Sequence, residues 1–523
     1  MGVTEEPPGR ARGSIEDGYA MAVGAGANAG TIASLGIRAL FPVLVARAYG
    51  HEALGAWVLA WSWIDGLSKF GVLGLDTAVT PEVASRAASG DAGGAGSAAR
   101  YATFVGLLAG AAVGTAAMLV AIIAAEAFSG RRIFWLSLAV MAPALPAISV
   151  SRISSGVAFG RRRMRNDFYS RGVADTTAFF VVFSLGFALG MGPITAAAST
   201  AAGCVASACV AWWLARGLVP VAAAGGGGAS VGPDLMRRAL PIGGYSLLNL
   251  AIMRLDVLLL GGFVGATPLL TAGSFGIYCG AAELAGGLRK VRQAFDPIFT
   301  PIAAEQALMG DALERSVARI ARWTLTVTLP FVLVMMVAGS ALLSLYGAEF
   351  RAGAWWLIIL AVAHATGSLF GVAETTLMLA NPRLNVFNST LTLGVQAVAT
   401  LALVPLWGPA GAAAAVLAAN AVQAALRLWQ IPRAFPWRWS WRACATPALA
   451  GVAALLVAVA VRSITRSIQS EIGAAAAGVL IYVFILRRAG IDPEDAVIIG
   501  RLRQRLGMRP AAARPTPSSR PER

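Results

Sequence analysis

The sequence predicts an all-α protein that crosses a membrane about fourteen times. Hydrophobic residues make up 57% of the 523 residues and charged residues only 13%, whereas about a quarter of a soluble domain is charged. The mean hydropathy is +0.69. Apolar runs of the roughly 20 residues that the hydrocarbon core of a bilayer requires recur along the whole chain. These features indicate a polytopic membrane protein.

Charged or Gly/Pro-rich breaks delimit the predicted helices. Their approximate spans are 20–46, 54–80, 101–126, 133–158, 168–190, 194–215, 239–264, 272–297, 320–345, 354–380, 385–405, 411–430, 444–462 and 471–486. The first span is too long for the apolar region of a signal peptide and lacks a clear cleavage site. It is therefore predicted to be the first membrane helix.

The distribution of basic residues predicts the orientation of the helices. Most of the 42 Lys and Arg residues fall in alternate loops, including the run RRRMR at 161–165, and cytoplasmic loops are the ones enriched in such residues. Both termini are therefore expected in the cytoplasm. The net charge of +16 is explained by these basic loops, because the sequence contains no nucleic-acid-binding signature. The short loops leave no room for a soluble catalytic domain.

An internal repeat organises the predicted helices. GLSKFGVLGLDTAVTP at 66–81 is similar to GGLRKVRQAFDPIFTP at 286–301, 220 residues later. Arg38 and Gly50 have counterparts about 216 residues on, and so does GPITAAAS at 192–199. Six helices separate the matching elements, so both copies have the same orientation and a substrate path is expected between two parallel lobes.

The repeat defines the predicted domains. They are a cytoplasmic N-terminal tail at 1–19, a first lobe with helices one to six at 20–216, a Gly-rich cytoplasmic linker at 217–238, a second lobe with helices seven to twelve at 239–430, helices thirteen and fourteen at 431–486, and a basic, disordered cytoplasmic tail at 487–523.

Cations inside the membrane spans are the strongest functional signal. A charged side chain at the bilayer centre costs at least about 2.5 kcal/mol unless it meets water or a partner. Five cations are candidates for a central cavity: Arg38, Lys69, Arg254, Arg289 and Arg292. Local pairing does not account for Arg38, Arg254, Arg289 and Lys290, which outnumber the acids near them, so an anionic substrate is expected. Guanidinium groups suit phosphate because they can donate to two of its oxygens at once.

Acidic residues in the spans are candidates for charge balance or ion coupling. They are Asp76, Asp256, Glu283, Asp296 and Glu374. Residues seven apart on one helix differ by only about 20° in direction, so Lys69 and Asp76 are expected on one face. The alternative is local pairing of Asp65 with Lys69, and of Arg292 with Asp296, at the i,i+4 spacing of intrahelical ion pairs. Neither a metal site nor a cofactor is predicted, apart from coupling to Na+ or H+.

The sequence resembles the oligosaccharidyl-lipid and polysaccharide exporters of the MOP superfamily, the Wzx-like flippases. The resemblance covers roughly residues 20–486. It is carried by RALPIGGYSLLNLAIMRLDVLLLGGFVG at 238–265, LYGAEFRAGAWWLIIL at 345–360 and PLWGPAGAAAA at 405–415. Their order and spacing in one long chain, rather than any single motif, make the resemblance.

The resemblance implies a non-enzymatic flippase in the bacterial inner (plasma) membrane. Its substrate would be an undecaprenyl-pyrophosphate-linked oligosaccharide for O-antigen, capsule or exopolysaccharide assembly, carried by alternating access through a cationic cavity. The implied partners are this polyprenyl-pyrophosphate-linked glycan, membrane lipids, and the polymerase and chain-length proteins of polysaccharide assembly, with no nucleic acid. The cavity cations, with Lys69 and Arg289 as lobe-related counterparts, would bind the headgroup.

Three alternatives remain open from the sequence. A peptidoglycan lipid-precursor flippase would share the fold and the cationic cavity, because its substrate is also a polyprenyl pyrophosphate. A MATE-like drug/cation antiporter usually has twelve helices and an acidic cavity. A membrane glycosyltransferase or polymerase usually needs a large periplasmic loop or an acidic catalytic motif, and neither is evident. The sequence does not specify the glycan, the driving ion or the oligomeric state.

Overall fold

The computed structural model describes residues 37–161, 163, 165–218, 228–291, 310–464 and 467–490. These residues fold into helices joined by short turns. The first half of the bundle comprises α1 Leu40–Val72, α2 Leu75–Ala88, α3 Ala92–Ala127, α4 Arg132–Met141, α5 Leu145–Gly160, α6 Asp175–Ala188 and α7 Ile194–Arg216. The second half comprises α8 Gly228–Phe263, α9 Ala272–Gly286, α10 Gly310–Val337, α11 Gly339–Leu343, α12 Ala354–Ala380, α13 Pro382–Trp407 and α14 Pro409–Ala434. Two further helices follow, α15 Trp441–Ile464 and α16 Ile468–Ala489.

The helices confirm the predicted all-α polytopic membrane fold. Among the described residues, 11 helical segments are long and apolar enough to span a bilayer. They are Ala92–Ala127, Ser129–Gly160, Phe168–Ala188, Ile194–Arg216, Gly232–Phe263, Leu313–Val337, Ala348–Met378, Pro382–Trp407, Pro409–Ala434, Trp441–Ser463 and Ile468–Ala489. Each corresponds to one predicted span. The predicted spans 20–46 and 272–297 extend into residues outside the description, and the predicted span 54–80 lies in α1 and α2.

Two pairs of glycines support the sequence repeat. Gly50 interrupts α1 with a φ of 82°, and Gly265, which follows α8, has a φ of 81°. Gly192 and Gly408 precede α7 and α14 with φ values of 71° and 57°. Positive φ is readily adopted only by glycine. The same two turns therefore recur at equivalent places in the two halves.

One end of the bundle holds the two halves together. The Arg47 guanidinium of α1 donates to the carbonyl oxygens of Leu345 at 2.7 Å and Ser344 at 2.9 Å in the second half. Arg131, between α3 and α4, donates at this same end to the carbonyl oxygens of Gly262 and Val264 at 3.1 and 2.7 Å. These four hydrogen bonds close that end of the interface between the halves.

At the opposite end, the two halves are joined by ion pairs to Glu82. Glu82 of α2 is buried and accepts from Arg86 at 2.6 Å and from Arg238 of α8 at 2.7 Å. Nearby, α8 approaches the backbone between α1 and α2 so closely that a Cβ on Gly74 would lie 2.3 Å from the Ala239 carbonyl oxygen. A side chain there would push the two halves apart.

The last two helices lie outside these two halves. α15 and α16 contact each other and α10, and the Tyr482 hydroxyl donates to the Thr326 carbonyl oxygen at 3.1 Å. The Glu471 carboxylate of α16 accepts from the Ala341 amide at 3.1 Å and from Arg462 at 2.8 Å. This carboxylate therefore joins α11, α15 and α16.

Candidate substrate-binding site

Lys69 and Asp76 lie on two different helices. α1 ends at Val72, where Leu73 with a φ of 54° and Gly74 with a φ of 77° both adopt left-handed conformations. Asp76 then starts α2, and its carboxylate accepts from the Thr77 amide at 2.9 Å. The expectation that a continuous helix places both charges on one face is therefore wrong. The break at Leu73 and Gly74 resets the direction of the chain between them.

Asp65 pairs with another helix and leaves Lys69 without a carboxylate. The Asp65 carboxylate lies 2.6 Å from a guanidinium nitrogen of Arg152 in α5. Within the described ranges, no carboxylate oxygen lies within 4.0 Å of the Lys69 ammonium. The local pairing alternative for Asp65 and Lys69 is therefore also wrong. The charged groups that act most strongly on Lys69 are Arg152, Asp76, Asp65 and Arg171.

Arg38 is paired, contrary to the expected surplus of free arginines. One of its guanidinium nitrogens lies 2.7 Å from a carboxylate oxygen of Asp175, whose side chain is only 7% exposed. Asp175 begins α6 and is distant from Arg38 in the sequence. The i,i+4 rule considers only one helix at a time, so it could not identify this partner.

Arg254 and Asp256 of α8 point to different partners. Arg254 forms an ion pair with Glu283 of α9 at 2.6 Å, while the Tyr278 hydroxyl donates to Asp256 at 2.8 Å. Residues two apart on a helix do not face each other, as the sequence predicts. Glu283 balances the charge of Arg254, and Asp256 lies deeper in the second half.

The second half presents Lys290, rather than Arg289, to the first half. Within the described residues, the charged groups that act most strongly on Lys290 are cations, and they include Arg171 and Arg38 of the first half. The Lys290 side chain is exposed. Arg289 instead lies among groups of α8 and α9, with Arg254 and Asp256 as charged neighbours. The role of Lys69 and Arg289 as lobe-related counterparts stays a prediction.

Two lysines remain uncompensated where the halves meet. Lys69 and Lys290 are the only lysines of the whole sequence, and neither has a carboxylate oxygen within 4.0 Å in the described part of the chain. Four of the surrounding arginines are engaged in ion pairs: Arg38 with Asp175, Arg152 with Asp65, Arg171 with Asp167 and Arg254 with Glu283. The predicted cavity cations did not include Lys290. The rarity of lysine in the sequence is the signal that could have identified it. Arg292 and Asp296 lie outside the described residues.

A separate polar cavity of about 160 Å³ lies inside the second half. It contains two of the predicted ion-coupling residues, Asp256 and Glu374. The Glu374 carboxylate accepts from Arg427 of α14 at 2.8 Å and from the Tyr245 hydroxyl at 3.0 Å. Arg427 is buried, with 3% of its side chain exposed. The carboxylate of Glu374 is thus balanced by a guanidinium of the protein.

The fold is similar to that of solved flippases and multidrug transporters. A structure described as the lipid II flippase MurJ in an inward closed conformation superposes with a TM-score of 0.63 at 11% identity, over 88% of this chain and 97% of that one. An inward-facing multidrug resistance MATE transporter of the MOP superfamily gives 0.58 at 14%, over 76% and 94%. The eukaryotic MATE transporter AtDTX14 gives 0.53 at 13%, over 79% and 95%.

The sequence comparisons add no closer relative. No protein-family model matches the chain, and no curated protein sequence matches it. The structures that share the fold are flippases and transporters rather than enzymes. The likeness to these structures confirms the expected fold, and membership of the MOP superfamily, like the Wzx-like assignment within it, stays a prediction.

Proposed function

We propose that the protein translocates a polyprenyl-pyrophosphate-linked oligosaccharide from the cytoplasmic to the periplasmic leaflet of a bacterial inner membrane. The observation that carries this proposal is the pair Lys69 and Lys290, which have no carboxylate partner among the described residues. An uncompensated cation inside a membrane protein is costly. A pyrophosphate headgroup between the two halves would supply the missing negative charge.

The surrounding ion pairs favour recognition of an anion by the lysines. An ammonium is a compact point charge that binds phosphate from many directions. Because Asp65 and Asp175 are held by Arg152 and Arg38 at 2.6 and 2.7 Å, their negative charges are partly neutralised. The carboxylates therefore repel an incoming phosphate less than free ones would. The arginines can also add hydrogen bonds to phosphate if their carboxylate partners are displaced.

Transport requires that the closed end of the bundle opens. The hydrogen bonds of Arg47 and Arg131 to carbonyl oxygens of the second half hold that end shut. We assign this end to the periplasmic side, following the predicted orientation of the loops. Headgroup binding between the halves would favour rearrangement of the interface only if the headgroup interacts differently with the two states. Because each half contributes one lysine, the two lysines are placed differently around the headgroup in the two states, and this provides such a difference.

The likeness to MurJ supports a lipid-linked substrate and also favours a second candidate. That structure is described as a lipid II flippase, so the protein could carry a peptidoglycan precursor instead of a polysaccharide unit. Both substrates are polyprenyl pyrophosphates, and the lysine pair suits either. Coupling to Na+ or H+ through Asp256 or Glu374 is part of the proposal and concerns either substrate.

Mass spectrometry of polyprenyl-linked sugars in cells depleted of the protein tests the proposal. Viable cells that lose a surface polymer and accumulate its lipid-linked repeat unit are the expected result. Lysis with accumulation of the peptidoglycan precursor would assign the second candidate. A normal lipid-linked sugar pool in depleted cells would contradict both.

A further inference from the structure

The cavity in the second half is built from polar side chains of four helices. α8 contributes Asn249, α12 contributes His364, α13 contributes Gln396, and α14 contributes Asn420 and Gln423. At about 160 Å³, the space would hold about five water molecules at roughly 30 Å³ each. It is also large enough for one sugar ring. A cavity of this polarity inside a membrane helix bundle needs an occupant that forms hydrogen bonds.

Two buried side chains in its wall have no hydrogen-bond partner among the described residues. Gln396 is 2% exposed and His364 is 7% exposed, and both line the cavity. Neither donates to or accepts from another group in the described part of the chain. Leaving such buried groups unsatisfied is unfavourable. Their polar atoms are therefore available to a molecule in the cavity.

The charges of the cavity are already balanced by the protein. Glu374 is paired with Arg427 at 2.8 Å, and Asp256 accepts from Tyr278 at 2.8 Å with Arg289 among its charged neighbours. The two guanidinium groups in the lining only donate hydrogen bonds, so they favour an occupant that can accept them. A neutral molecule that both donates and accepts hydrogen bonds fits this lining better.

We propose that this cavity binds one sugar ring of the transported lipid, a role that rests on the function proposed above. Sugar hydroxyls both donate and accept, and the side-chain amides of Asn249, Gln396 and Gln423 offer both groups. Arg289 lies in the cavity wall and is a charged neighbour of Arg254. The sugar would therefore lie next to the headgroup that the lysine pair binds.

Replacing Gln396 by Met tests the proposal because it keeps the side-chain length and removes the amide. The probes are undecaprenyl pyrophosphate without sugar and the same lipid carrying glucose, galactose or N-acetylglucosamine. Their affinities for the full-length protein are compared by native mass spectrometry. The wild type should bind at least one of the sugar-bearing lipids more tightly than the bare lipid. Gln396→Met should reduce that preference about 2- to 12-fold for each hydrogen bond lost, with unchanged affinity for the bare lipid.

Thr400→Val is the matched control. Thr400 lies one turn further along α13, is fully buried, and does not line the cavity. Its substitution should leave the preference unchanged. Equal affinity of the wild type for all four lipids would overturn the sugar site and leave the headgroup site intact. A preference that persists in Gln396→Met, or that depends on Na+ instead of sugar, would also overturn it. Binding of none of the lipids by the wild type would refute the proposed function.

Discussion

The arginine hydrogen bonds that close one end of the bundle predict a measurable shift in conformation. Arg47 and Arg131 each donate to two carbonyl oxygens across the interface, at distances of 2.7 to 3.1 Å. Hydrogen bonds from charged groups contribute about 1.5 to 3 kcal/mol when well buried. Because Arg47 is exposed and Arg131 is partly exposed, solvent screening reduces this contribution to about 1 to 2 kcal/mol for each arginine.

The double variant Arg47→Gln with Arg131→Gln should therefore favour opening by about 2 to 4 kcal/mol, if the two sites act additively. This corresponds to a shift of roughly 30- to 800-fold in the equilibrium between closed and open forms. Spin labels attached to cysteines introduced at Glu52 and Arg351 would report the separation of the halves by double electron–electron resonance. Both positions are exposed, and His51 lies 3.8 Å from Glu349 across the same interface.

The wild type should give one short distance, and the double variant a longer or broader distribution. The labelling background replaces Cys209, the exposed native cysteine, by Ser. Arg132→Gln is the matched control, because Arg132 is adjacent to Arg131, exposed, and forms no cross-interface hydrogen bond within the described residues. A folded double variant with the wild-type distance distribution would refute the assignment of these arginines as the closing contacts.

Further predictions concern the lysines, the interface and the last helix. Neutralising Lys69 and Lys290 together by Gln should slow transport into proteoliposomes by about 10- to 150-fold for each lost charge-assisted contact, whereas wild-type rates would exclude a role for them. Gly276→Ala would place a Cβ 1.8 Å from the His51 carbonyl oxygen and should lower stability by about 1 to 3 kcal/mol in thermal unfolding. Gly262→Ala meets no atom within 4 Å and should be neutral, so equal effects would contradict this packing. Glu471→Gln removes the ionic partner of an arginine and should lower the Tm of the C-terminal helices, and an unchanged Tm would contradict that role.

Hydropathy and turn signals predicted the helices well, but they could not predict the ion pairs between residues distant in sequence. The membrane spans follow from the length of apolar runs, and the repeated turns follow from glycines such as Gly50 and Gly265. The partner of Arg38 could not be predicted, because Asp175 lies on a helix distant in sequence. Periodicity reports which face of a helix a residue occupies, and it carries no information on the neighbouring helix.

The break between α1 and α2 could have been predicted from a glycine in the sequence. Gly74 lies in the stretch GVLGLD, and glycine in a left-handed conformation commonly ends a helix. Leu73 beside it also has a positive φ, which no residue preference predicts. If a helix end is placed at this position, the seven-residue spacing of Lys69 and Asp76 no longer implies that they share a face.

Amine labelling of the native protein tests the central claim most directly. Because the sequence contains only two lysines, an amine-selective reagent can modify only Lys69, Lys290 and the N-terminal amine, which mass spectrometry separates. Saturating undecaprenyl pyrophosphate should reduce the labelling rate of both lysines several-fold, while the uncharged polyprenol should leave it unchanged. Labelling that is insensitive to the pyrophosphate lipid, or equally reduced by the uncharged one, would contradict headgroup binding by the lysine pair.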